Sequence, residues 1–167
     1  METIAVYWES QIKTYGLNEF DGLAHIQFAC RPEQMTSVGR VVREMEEPGM
    51  RMLLVVGLTA EDGLMGLGLL VGQRWEEGVM HKLRSALGEE ANPSLQSTSH
   101  VSLIFLHGPH FGDRYGIADA AVGALTRKGI PLVALGCTAS SIYLVLPENH
   151  REAAGRSLKE AFLMPSP

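Results

Sequence analysis

"HIQFA" at His25–Ala29 is answered by "HVSLI" at His100–Ile104, 75 residues further along the chain. Both are short apolar runs of strand composition, and each leads through a loop into a helical pattern. After the first, Val38, Val41, Val42 and Met45 fall at i, i+3, i+4 and i+7, which is one face of a helix. After the second, Ala118, Ala121, Val122 and Leu125 repeat that spacing, displaced by 80. Glu47-Pro48-Gly49 closes the first helix and Lys128-Gly129 the second, with glycine suited to the left-handed position past a helix end.

The parallel continues. Buried-strand runs "MRMLLVVG" and "IPLVALG" come next, then "MGLGLLVG" and "SIYLVLP", the former after an Asp62-Gly63 hairpin signal. Each half closes on a helix, with Val79, Leu83, Ala86 and Leu87 matched by Ala154, Leu158, Ala161 and Phe162, again 75 apart. Asn149 with Glu152 has the spacing of a capping box. Two copies of β-α-β-β-α, each too small to bury its sheet well alone, predict an α+β fold. That fold is two ferredoxin-like βαββαβ units, with antiparallel sheets and helices on one face. The units are placed at residues 18–92 and 93–164, with 13–17 and 94–97 as added edge strands. Because only "MPSP" follows the last helical pattern, strand 13–17 is assigned to complete the second unit.

Composition narrows the classes. With 46% hydrophobic and 20% charged residues the chain can bury a core, and disorder is not expected. The net charge is −5 and no Lys/Arg cluster marks a nucleic-acid or anionic-membrane face. The opening "METIAVYWES" does not read as a signal peptide, and Glu61-Asp62-Gly63 interrupts the most apolar region, Met52 to Gly72. Cys30 and Cys137 lack CxxC spacing and suggest a reducing compartment, so a cytoplasmic location is expected.

The loops before the two first helices carry a resemblance. They read Pro32-Glu33-Gln34-Met35-Thr36 and Gly108-Pro109-His110-Phe111-Gly112-Asp113-Arg114-Tyr115-Gly116-Ile117. The step from the last loop position to the helix-ending glycine is 13 residues in both, Thr36 to Gly49 and Gly116 to Gly129. Together with the closing "RSLKEAF", these stretches resemble the tandem ACT domains of the aspartate kinase regulatory region, over about residues 13–164, with no kinase catalytic domain alongside. The resemblance implies amino-acid binding at interfaces between ACT units, by the loop before the first helix and the start of the following strand. Carried over, the ligand-binding candidates are Gly112, Asp113, Arg114, Tyr115, Gly116, Ile117, Pro131 and Leu132, and in the first copy Pro32, Glu33, Gln34, Met35 and Thr36. Thr36 and Glu33 stand where the family has Gly and Asp, Gly57-Leu58 where it often has Gln-Asn, and Pro131 where a polar residue is usual. The ligand's identity stays open.

Physics supports that placement. A helix N-terminus offers unpaired N–H groups and a positive dipole end to a carboxylate. The second loop is not a Walker A loop, since no Gly-Lys-Ser/Thr follows. His107 and His110 with Asp113 have metal-ligand chemistry but no evident fourth ligand. A loop that merely connects strand to helix is the remaining alternative. His25 and His100 read as a repeated half-exposed strand position, Cys137 as a structural cysteine, and Trp8 and Trp75 as packing anchors, Trp75 at a helix start. No catalytic constellation, metal site or cofactor is expected, so the chain reads as a non-enzyme. The expected function is a stand-alone tandem-ACT regulatory protein that binds an amino acid or similar small anionic ligand. It would modulate a partner of amino-acid metabolism or its own assembly, as a homodimer. The alternative is a ligand-free ACT scaffold for dimerisation or docking to a kinase-like subunit.

Overall fold

The computed structural model describes residues 11–45, 52–59, 63–88, 94–109, 111–112 and 114–165. These fall into two compact units, one from Gly22 to Val101, the other joining the described residues up to Asp21 with those from Ser102 onward. The divisions lie within β2 (Gly16–Cys30) and β5 (Gln96–His107). Each of these strands is continuous and contributes one end to each unit.

In the Gly22–Val101 unit, β4 (Met65–Gly72) lies between β2 and β3 (Met52–Thr59), antiparallel to both, and β5 lies on the other side of β2. The register runs from Leu23 opposite Gly72 to Cys30 opposite Met65. Alternation does the sorting: Ala24, Ile26, Phe28 and Cys30 point to the helix side with Leu67, Leu69 and Val71. Helices α1 (Met35–Glu44) and α2 (Glu76–Leu87) cover that face through Val38, Val41, Val79, Leu83 and Leu87. Val42 and Ala86 are only partly buried. Trp75 caps the start of α2 and packs against this core. Gly63 has φ +78°, the left-handed conformation that the turn before β4 needs. Trp8, Asp62 and the Glu47-Pro48-Gly49 helix stop lie outside the described residues.

In the other unit the strand order is β2–β5–β7–β6, with β6 (Ala134–Cys137) antiparallel to β7 (Ser141–Pro147). Ile104, Leu106, Ile142, Leu144 and Leu146 pack against α3 (Ile117–Thr126) and α4 (Arg151–Ala161). The small residues Ala121, Ala124 and Ala154 are fully or almost fully buried, and the Ser157 hydroxyl donates to the Ala124 carbonyl at 2.7 Å. The α3 face is rotated from the expected one: Ile117, Ala121, Ala124 and Leu125 are buried, whereas Ala118 and Val122 are only partly so.

Two further expectations are corrected. A strand does follow the last helix: the chain turns extended at Phe162 (φ −118°, ψ 142°) and forms β8 (Phe162–Leu163). It pairs in parallel with β1 (Ile12–Lys13), and Thr14 N donates to Leu163 O at 2.9 Å. The capping box at Asn149 is replaced by a 3-10 turn over Glu148–His150, whose last residue caps α4 without a side-chain bond. The described chain is thus mixed α+β, with antiparallel sheet pairing and four helices. No helix among the described residues is long and apolar enough to cross a membrane.

Candidate functional site

The two helix-entry loops differ in how much of their bonding capacity is used internally. The first leaves β2 at Arg31 and forms a 3-10 turn over Pro32–Gln34, where proline's fixed φ suits the first position. The Gln34 side chain accepts from Arg31 N at 2.8 Å and donates to the Leu87 carbonyl at 2.9 Å, at the end of α2. Met35 packs on the core with its sulfur 3.6 Å from that of Cys30. Burial pushes the Cys30 thiol above its ordinary range. Of the first-loop candidates, Gln34 and Met35 are therefore structural, while Pro32, Glu33 and Thr36 are exposed. The Arg31-to-Gln34 spacing, with Gln at the third position of the turn, was the available sequence signal for this cap.

The second loop holds three glycines for three different reasons. At Gly108 a Cβ would meet the Phe111 ring and lie 2.6 Å from the Lys13 carbonyl oxygen, so no side chain fits. At Gly112 it would crowd Ala139, 3.1 Å from that Cβ. Gly116 instead has φ +82° at the cap of α3, with nothing within 4 Å of where its Cβ would stand. The first two are packing glycines; the third serves the backbone and faces open space.

Around it, Tyr115 is 98% exposed, whereas Ile117 is buried in the core. Arg114 Nη1 donates to the Gln11 carbonyl at 3.2 Å, which anchors the guanidinium beside the loop. Gly116 O accepts from Ala120 N at 2.9 Å as the first helical bond. Asp119 occupies the first turn of α3, and its carboxylate opposes an anion there. Pro131 is exposed and has no N–H to give, Leu132 packs partly on the core, and Val133 N donates to Val145 O at 2.8 Å. Asp113 and His110 lie outside the described residues.

The equivalence of the two strand histidines does not hold. His25 is buried in β2, and burial lowers its pKa. His100 is exposed and adopts φ +56°, the one non-glycine in the left-handed region among the described residues. Its Nε2 lies 3.2 Å from Gln73 Nε2. Among the described residues no three His, Cys, Asp or Glu side chains are gathered for a metal. Cys30 and Cys137 are free thiols, the second exposed.

No family model and no curated protein matches the sequence. Solved structures do match its fold. The ligand-free regulatory subunit of aspartate kinase from Thermus thermophilus superposes with a TM-score of 0.72 at 15% identity, over 89% of this chain and 98% of that one. Aspartate kinase from Synechocystis gives 0.76 at 15% identity, over 95% of this chain and 29% of that one. E. coli aspartokinase III in complex with lysine and aspartate gives 0.60 at 14% identity, over 94% of this chain and 35% of that one. At these identities the likeness is one of fold: this chain has the architecture of aspartate kinase regulatory regions.

Proposed function

We propose that this protein is a regulatory module, not an enzyme, that binds an amino acid or similar small anionic ligand and transmits its presence to a partner or to its own assembly. The observation that carries this reading is Gly116. A left-handed glycine at a helix entrance, with open space where a side chain would stand, leaves the first N–H groups of α3 approachable by a carboxylate. Arg114 in the same loop, whose guanidinium donates to the Gln11 carbonyl, supplies a positive charge. Asp113 is proposed to take the ligand's amino group, and Pro131 and Leu132 to border the site. The first loop, with Gln34 and Met35 engaged internally, contributes less. The fold supports this assignment, since one matching structure is a separate regulatory subunit and another was solved with lysine and aspartate. On this reading the two units are tandem ferredoxin-like ACT domains, the protein works in the cytoplasm as a homodimer, and its enzyme partner is kinase-like.

The second reading, a ligand-free scaffold, is favoured by one observation. Strand β3 is an edge strand without a single charged residue, and it exposes Val55, Val56 and Leu58. An edge of that kind is suited to pairing with another chain. A thermal-shift screen against the standard amino acids separates the two. A rise in melting temperature for one or a few supports sensing; no rise for any, with a stable dimer in solution, supports the scaffold.

A further inference from the structure

His25 sits in β2 opposite Leu70, on the face turned away from the helices, and is 7% exposed. Its ring lies over the neighbouring strand: a Cβ at Gly68 would stand 2.9 Å from Nε2. Nδ1 is buried, and no protein group among the described residues hydrogen-bonds it. Protonation would make both ring nitrogens donors, with no hydrogen-bond partner for the buried Nδ1 among the described residues.

The charges within its unit give no relief. Strand β4 (Met65–Gly72) contains no titratable residue at all. In the Gln96–Val101 part of β5 the one such residue is His100, which is exposed. Within β2 from Gly22 onward there is only Cys30, which faces the helix side. The turn after β4 carries Arg74, exposed and stacked over Trp75 at 4.9 Å. Of the charged residues of α2, Glu76 reaches the sheet, where its carboxylate accepts from the Ser97 and Ser99 hydroxyls of β5 and is engaged there. The apolar faces of α1 and α2 cover the side of β2 opposite His25.

From this geometry we infer that His25 is an acid-sensitive latch: neutral, it lets β2 and β4 close over each other, and protonated, it loosens their pairing. Because β3 is held to the sheet through β4 alone, the exposed edge strand would be released with it. The direction of titration agrees. Burial holds the ring's pKa below the ordinary histidine value, so the folded state favours the neutral form. The contribution to stability is therefore complete above about pH 6.5 and is lost as the pH falls through the folded-state value.

The experiment uses the full chain and its His25→Gln variant, which cannot titrate. Urea midpoints are compared at about pH 7.5 and about pH 5.5, bracketing the ordinary histidine range. The ring of His25 is followed by NMR in the wild type. The expected result is a drop in the wild-type midpoint that is clearly smaller in His25→Gln, with His25 protonating below the ordinary value. The protection of the Gly68–Leu70 amides against hydrogen exchange, taken relative to the intrinsic rate at each pH, should fall in acid in the wild type only. An equal drop in both proteins, or protonation of His25 at or above the ordinary value, overturns the inference. Should His25→Gln fail to fold, the wild-type NMR titration and amide exchange decide alone.

Discussion

The side-chain amide of Gln34 donates to the backbone carbonyl of Leu87 at 2.9 Å, fastening the first helix-entry loop to the C-terminal end of α2. Its oxygen holds Arg31 N, so one side chain closes a turn and caps a helix. Gln34→Ala removes both bonds and is expected to cost about 1–3 kcal/mol, read from the shift in a urea midpoint. It should leave amino-acid binding at the second loop unchanged. A variant as stable as the wild type would show that the bridge contributes nothing.

The start of the second loop should tolerate no side chain. Gly108→Ala would press a methyl group against the Lys13 carbonyl and the Phe111 ring, and a loss of about 1–3 kcal/mol is expected. Gly116→Asn, by contrast, should be nearly neutral for folding, since asparagine enters the left-handed region readily and the space there is open. Thermal melts of the two variants, side by side, check the distinction between packing and backbone glycines.

Between α3 and α4 the buried Ser157–Ala124 bond makes a separate prediction. Ser157→Ala should lower stability by about 0.5–1.5 kcal/mol, the usual net value of one such bond. Ser157→Leu should be worse, because Ser157 is buried and bonded to the Ala124 carbonyl, and a larger side chain there overpacks the contact between α3 and α4. Chemical denaturation of the pair measures both.

If β3 is the assembly edge, a charge placed on it should act on association and not on folding. Val56→Lys and Leu58→Lys, at exposed positions, are expected to shift a dimer toward monomer in light scattering while leaving the melting profile near that of the separated wild-type protein. An unchanged mass for both variants would place the dimer contact elsewhere.

Much of this architecture was legible because burial is periodic. In β2 the helix-side residues alternate with the others, and in α1 Val38, Val41 and Met45 stand out against charged neighbours. The α3 face was misplaced because "IADAAVGALT" has little contrast: Ala118, Ala120, Ala121 and Ala124 fit several faces, and the buried one proves to be Ile117, Ala121, Ala124 and Leu125. Strand β8 was hidden for a related reason. Phe162 continues the helical spacing of Ala154 and Leu158, and it is buried whether the chain is helical or extended there. His25 and His100 share a letter and a repeat position but not a backbone conformation, which sequence spacing does not encode. At the candidate site the three glycines were visible, but their separate roles depend on Lys13 and Ala139, contacts distant in sequence. The Gln34–Leu87 bridge was equally out of reach.

The most direct test of the proposed regulatory role is a calorimetric titration of wild type, Gly116→Val and Thr36→Val with the amino acid that gives the largest thermal shift. Valine at φ +82° is strained, so the folded fraction of Gly116→Val is checked first by circular dichroism, with Gly116→Asn as a second probe of the same space. The account predicts saturable binding to the wild type and to Thr36→Val, with binding lost in folded Gly116→Val and weakened in Gly116→Asn. Wild-type affinity in Gly116→Val, or no standard amino acid binding the wild type, would contradict it and leave the loop a structural connector.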